Sequence, residues 1–226
     1  VNETTEAHRA SDPARRDRAP RQGVYTIGHS THPIDVFIGL LRAHAVEAVV
    51  DVRSHPYSRF NPQYRRDALQ AALESAGIEY VFLGRELGAR SNDSACHIDG
   101  RVDYALLAQT AGFRSGLDRV EARAARQRVA LMCAEKDPLV CHRTILVCRE
   151  LILRRAESVA GVPCMVHHIL ADGRLETQYD ADARLLREVG VSTDLFRDLD
   201  EAVADAYRQR AKQIAWVAGI KSPRAG

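Results

Sequence analysis

Aromatic residues make up only 6% of this 226-residue chain, and its formal net charge at pH 7 is just +2. The first scarcity leaves no obvious platform for stacked bases. The second leaves no global field to draw in nucleic acid or an anionic bilayer. Long apolar runs are missing as well: none approaches the ~18 residues of a bilayer-spanning helix. No apolar h-region stands near the first residues, so no secretory signal is expected there. Cysteine is sparse and odd in number, five in all, which does not make a disulfide framework in a chain of this size. The thiols are therefore expected to be reduced and the compartment cytoplasmic. What is present, 46% hydrophobic and 27% charged residues, is ordinary for a globular protein and enough for one well-cored domain with an appendage.

Residues 1–22 mix Arg, Asp, Pro and Ala with almost no large apolar side chain, and are expected to form a disordered tail. Beyond it, strand-like and helix-like stretches alternate. VYTIG (24–28), EAVVDVRS (47–54), IEYVFLG (78–84), RVALMC (128–133) and CMVHHIL (164–170) read as strands. HPIDVFIGLLRAHA (32–45) has helical spacing, with Ser30 or Thr31 as its cap and Pro33 in its first turn. YRRDALQAALESAG (64–77) is a helix stopped by Gly77. Residues 84–101 read as a long polar loop, and 103–111 and 113–127 as helices parted by Gly112. RTILVCRELILRRA (143–156) is a further helix, and 176–217 is helical and amphipathic with a break at 190–193.

This order predicts an α/β fold: a mostly parallel, doubly wound, Rossmann-like sheet of about five strands. The domain is placed at 23–175, with a helical C-terminal extension over 176–226 packed on it. The C-terminal helix offers a dimer surface as the alternative to packing across the domain.

In such sheets the ligand crevice lies beyond the carboxyl ends of the strands. His29 and Ser30 follow the first strand, where they would meet an anion together with helix N-terminal amides. The GHST turn is too short and too poor in glycine to be a dinucleotide fingerprint. Asp51 and Arg53 share one face of the second strand, and a buried ion pair is the alternative to a ligand role. Arg53, His55 and Arg59 crowd the loop after it, three potential cations that suggest a phosphate or carboxylate pocket, with a solvated loop as the alternative for each one singly.

Cys133 and Glu135 end the fourth strand. Cys141 stands where a helix begins, so free N–H groups and the helix dipole favour a thiolate there, beside His142 and Arg143. Cys133, Cys141 and His142, with His29 or His55, also make a Zn²⁺ set, although C-x7-C-H lacks the CxxC spacing of structural zinc sites. Cys96-His97, in the long loop, could add ligands to that set, whereas Cys148 and Cys164 read as structural. Of His167 and His168 only one faces inward, as a core histidine.

Several blocks occur together in order: YTIGHST, DVRSHPYSRFNPQY, GIEYVFLGRELG, ALMCAEKDPLVCHR and HHILADG, with the tail DLFRDLDEAVADAYRQRAKQIAWV. Over about residues 23–217 they resemble the DUF488 family of uncharacterised bacterial and archaeal proteins. The resemblance implies an α/β domain and a site drawn from Gly28, His29, Ser30, Asp51, Arg53, Pro56, Ser58, Arg59, Leu87, Gly88, Cys133, Glu135, Cys141, His142, Arg143 and His168. One departure is Gly88-Ala89-Arg90, where relatives often carry another glycine.

The leading expectation is a cysteine-dependent enzyme built on the CxE-x5-CHR motif, acting on a small anionic, phosphate- or nucleotide-like substrate. Cys141 would be the nucleophilic or redox thiol, Cys133 its resolving partner and Glu135 the proton carrier, with His142 beside them. His29, Ser30, Asp51, Arg53, Ser58, Arg59 and Arg143 would bind the substrate. A zinc site on the two thiols and a histidine is one alternative. A nucleic-acid or anion-binding module without catalysis is the other.

Overall fold

A computed structural model describes residues 23–157, 165–191 and 198–217. The tail at 1–22, Cys164 and residues 218–226 of the expected extension lie outside the described residues. The strands are β1 (Val24–Gly28), β2 (Ala48–Asp51), β3 (Glu79–Phe82), β4 (His97–Ile98), β5 (Arg101–Val102), β6 (Val129–Cys133), β7 (Val166–Ile169) and β8 (Leu175–Thr177). The helices are α1 (Ile34–Ala43), α2 (Arg66–Ser75), α3 (Gly84–Leu87), α4 (Tyr104–Ala108), α5 (Ala111–Ala124), α6 (Arg149–Glu157), α7 (Gln178–Val189) and α8 (Leu199–Ile214).

Six strands form one sheet in the order β3-β2-β6-β1-β7-β8, and β4 pairs with β5 in a separate two-stranded hairpin. Every pairing in the large sheet is parallel except β7 with β8. The central strands β1, β2 and β6 are buried at every position because both faces of the sheet are covered there, whereas the edge strands β3 and β8 are partly exposed. VALMC of β6 is buried at all five positions. Tyr25, Ile27, Val49, Ala130 and Met132 pack with Phe37, Leu41, Leu69 and Leu73 of α1 and α2. The alternate positions, among them Val24, Val50, Leu131 and Cys133, pack with residues of α4–α8. Right-handed crossovers explain the division. The chain steps outward from β1 to β2 to β3, which puts α1 and α2 on one face. It then reverses direction to β6 and β7, which puts the later helices on the other.

That reversal positions the site. The segment leaving β6 turns to the face opposite the one taken by the segments leaving its neighbours β1 and β2. The chains therefore part at the carboxyl end of β6, the position at which sheets of this topology place a ligand site.

The α/β class, the parallel sheet and the C-terminal helices agree with the sequence reading, and several details differ. The sheet has a sixth strand, β8, which turns back onto β7 through Gly173 (φ +85°), so the helical segment expected from residue 176 begins only at Gln178. Neither Ser30 nor Thr31 caps α1; Pro33 occupies that position without a side-chain bond. The boundary between α4 and α5 falls at Thr110, whose hydroxyl accepts from the Phe113 amide at 3.2 Å, so Gly112 lies inside α5. The loop at 84–101 contains α3, a 3₁₀ turn at Ser94–Cys96 and β4. The helix expected from residue 143 begins as a π-helical segment, Arg143–Cys148, before α6. No helix of the described residues is long and apolar enough to cross a membrane.

Candidate functional site

The β1–β6 ladder continues past the strand ends. The His29 amide donates to the Cys133 carbonyl and the Ser30 amide to the Ala134 carbonyl, both at 2.9 Å. Only glycine fits at position 28, because a Cβ there would lie 1.9 Å from the Glu135 carbonyl oxygen. Ser30 then turns through a left-handed backbone (φ 46°).

On the α1–α2 face, Asp51 grips Arg53 at both ends of the guanidinium. Nε donates to Oδ1 at 2.9 Å and Nη2 to Oδ2 at 2.7 Å. The Arg53 amide and the Tyr80 hydroxyl also donate to this carboxylate, at 3.0 and 2.8 Å. Arg53 Nη1 reaches His29 Nε2 at 3.1 Å, and His29 Nδ1 lies 2.9 Å from the Ser30 carbonyl. A neutral imidazole fits both contacts: Nδ1–H donates to the carbonyl and Nε2 accepts from Arg53. Burial, followed by the Arg53 charge, lowers the His29 pKa to about 4. The ring stacks on Tyr64, with centroids 4.1 Å apart. Both ring nitrogens of His29 are thus engaged within the protein, and the Asp51–Arg53 pair takes the form of a buried ion pair.

The thiols lie on the other face. Cys133 Sγ is 3.7 Å from His142 Nδ1, and His142 Nε2 lies 2.9 Å from the Val52 carbonyl, to which its N–H donates. Cys141 is extended (φ −133°, ψ 137°) after a 3₁₀ turn that Asp137 caps. Its carbonyl accepts from the Thr144 and Ile145 amides, and its Sγ accepts from the Arg143 amide at 3.5 Å. These are the contacts of a helix N-cap, here supplied by sulfur. Cys141 Sγ also lies 3.1 Å from Glu135 Oε2. Arg143 is fully buried beneath, with Nη1 on the Glu135 carbonyl at 2.7 Å and Nη2 on the Lys136 carbonyl at 3.3 Å. Arg184 holds Asp137 from outside with two bonds of 2.9 and 3.0 Å, which fixes the segment joining the two cysteines.

The charges of this cluster are interdependent. Burial pushes the Cys133 thiol well above its ordinary value. Burial also opposes ionisation of Cys141. A hydrogen bond from Cys133, the Arg143 charge and His142 outweigh it against the repulsion of Glu135, and bring Cys141 down to about 6. Glu135, despite its burial, is held to about 2 by the His142 charge and the two thiols. His142 is raised against its burial by Cys141. The two thiols behave as one titrating unit: protonated, Cys141 donates to Glu135; ionised, it accepts from Cys133.

Ligand atoms of Cys133, Cys141 and His142 all lie within 4.8 Å of one another. In a tetrahedral zinc site, bonds of about 2.3 Å to sulfur and 2.0 Å to nitrogen put S and N roughly 3.5 Å apart. The 3.7 Å between Cys133 and His142 is close to that, and a second imidazole nitrogen bonded to a carbonyl is how metal-bound histidines are oriented. The donor set therefore fits a metal ion such as zinc.

Ser58 and Arg59 stand apart from both clusters. Ser58 Oγ accepts from the Asn61 amide at 2.9 Å, in a turn of the loop before α2, and Arg59 is exposed. His55 is exposed as well. His168 is a core histidine bonded to Thr26 Oγ1 at 2.8 Å, with burial and then the Arg143 charge lowering its pKa to about 3. Cys96 and Cys148 are buried in the hydrophobic core. Three contributors escaped the sequence reading: Tyr64, Tyr80 and the Val52 carbonyl. Tyr80 pairs in register with Val49, two residues from Asp51, so the register of β2 and β3 carries the signal.

The family model described as "Domain of unknown function DUF488" matches residues 33–149, just over half of the chain. The chain belongs to the DUF488 family. The matched span includes Asp51, Arg53, Cys133, Glu135 and the Cys141-His142-Arg143 run, while His29 and β7 to α8 fall outside it. No curated protein and no solved structure matches this DUF488 chain.

Proposed function

We propose that this DUF488 protein is a thiol-dependent enzyme whose working group is the Cys141 thiolate. The observation that carries the reading is the position of Cys141 Sγ at a helix N-cap, accepting the Arg143 amide, with a second thiol and a buried guanidinium beside it. In this reading the thiolate attacks an electrophilic centre of a small anionic substrate, phosphate- or nucleotide-like, and expels a leaving group. His142, whose pKa is raised, is the acid with a proton to give. Cys133 holds its own proton and serves as the resolving or hydrogen-bonding thiol. Arg53, paired with Asp51 and bonded to His29, holds the neighbouring strand end in place rather than offering free charge to the substrate. The setting is the reducing cytoplasm.

Cys141 is only 1% exposed, so speed of modification is a poor guide and the titration midpoint is the useful one. Alkylation with iodoacetamide, followed by peptide mass spectrometry across pH, is expected to give a Cys141 midpoint near 6. A midpoint at or above the ordinary thiol value of about 8.5, or no reaction in the folded protein, overturns the reading.

The 4.8 Å cluster favours a second reading, a zinc site on Cys133, Cys141 and His142. There the ion would occupy both thiolates, so alkylation would begin only after chelation, and the purified protein would contain about one equivalent of zinc.

A further inference from the structure

A cavity of about 820 Å³ opens between the β4–β5 hairpin, α4, the π-helical segment with α6, and α8. Its size is within the ~300–1,000 Å³ range of small-molecule sites. Tyr104 and Tyr207 stand among its walls. Ile98 and Leu153 line it and remain 53% and 38% exposed, an apolar surface left uncovered among the described residues. Four cations line the cavity, and two of them are taken: Arg101 by the Lys212 and Ala215 carbonyls and Arg208 by Asp205. The Arg149 guanidinium lies 4.9 Å over the Tyr207 ring, which holds it in place. Lys212 is exposed on α8, its backbone carbonyl taken by Arg101. Three acids line it as well, Asp99, Asp103 and Glu150, of which Asp103 caps α4 through the Leu106 amide, so the lining carries one more positive than negative charge.

An aromatic, apolar interior with a guanidinium and an ammonium at its edge matches one ligand chemistry. We infer that this cavity binds a small amphipathic anion, with an apolar ring system among Tyr104, Tyr207, Ile98 and Leu153 and an acidic group at Arg149 or Lys212. The inference stands on the cavity and goes beyond the thiol reading. The two places are nonetheless close: Tyr104, in the cavity wall, has its hydroxyl pushed up by burial and then by the charge of the nearby thiol cluster, Cys141 first.

The probe is 8-anilinonaphthalene-1-sulfonate, titrated into the full folded chain and followed by its fluorescence. One saturable site is expected. Ala211→Trp fills the cavity and should weaken binding about tenfold or more. Ala105→Trp, on the exposed side of α4, is a second filling variant if the first disturbs folding, and circular dichroism checks each fold. Lys212→Glu should weaken the sulfonate about fivefold. N-phenyl-1-naphthylamine, which lacks the sulfonate, should bind more weakly than the probe and be indifferent to Lys212→Glu. Binding that survives both filling variants overturns the site. Equal affinity for the neutral compound overturns the anion.

Discussion

His29 and His168 are buried in the neutral form, and that makes stability fall with acid. The folded-state pKa values, about 4 and about 3, lie below the 6.5 of a free histidine. The unfolded chain therefore binds more protons between 6.5 and those values. Stability is fully present above about pH 6.5 and declines as pH drops from there toward the folded pKa. From about pH 7.5 to pH 5, each histidine is expected to remove about 2 kcal/mol. Together that is about 4 kcal/mol, a large share of the ~5–15 kcal/mol that stabilises a typical domain. His142, with its raised pKa, acts in the opposite sense and returns part of this. Glu135, held to about 2, adds its own loss only once the pH falls below the free carboxylate value of 4.5. A variant isolates one histidine from the others. His168→Gln keeps an oxygen for Thr26 Oγ1 but cannot charge. Urea unfolding of both proteins at about pH 7.5 and pH 5 should show the wild type losing about 2 kcal/mol more than the variant. An equal loss in the two proteins, within about 0.5 kcal/mol, would refute the reasoning.

Two further outcomes follow from the strand ends. Asp51→Asn leaves the Arg53 guanidinium at 5% exposure without a counter-charge, and should cost about 3–5 kcal/mol in urea unfolding; a cost below about 1 kcal/mol would mean that the pair is not desolvated. Gly28→Ala drives a Cβ into the Glu135 carbonyl, 1.9 Å away, so the segment carrying Glu135 must move. It should destabilise by about 1–3 kcal/mol and shift the Cys141 titration upward, and an unchanged alkylation profile would show that the strand end does not set the thiol environment.

The strands and the residues at their ends were legible because β-branched and apolar runs stopped at polar, reactive residues. Cys141 at a helix start was legible for a similar reason: Pro138 and Asp137 mark a turn, and apolar periodicity resumes after it. The π-helical register of Arg143–Cys148 was not, since a shift of hydrogen-bond partner leaves no trace in composition. Nor was β8, three residues long, whose pairing depends on the Gly173 turn and on β7 lying alongside. Arg53 and Arg59 looked alike as cations in one loop. They part in three dimensions because Arg53 shares the face of Asp51 and is caught by it, whereas Arg59 lies in the exposed loop.

By itself, the order of residues determined the α/β class, the alternation that buries both faces of the sheet, and the gathering of Cys133, Glu135, Cys141, His142 and Arg143 near one strand end. These are local properties, set by side-chain periodicity and by what a helix start does to its first groups. Only the tertiary structure decided that β6 lies between β1 and β2, and hence that His29 and Arg53 stand on one side of the strand end and the thiols on the other. It also decided which groups engage each other: Arg53 with Asp51 and His29, Arg143 with two backbone carbonyls, Cys141 with Glu135. The reason is physical. A charge or thiol acquires its pKa from burial and from neighbours a few ångströms away, and those neighbours come from segments distant in the chain.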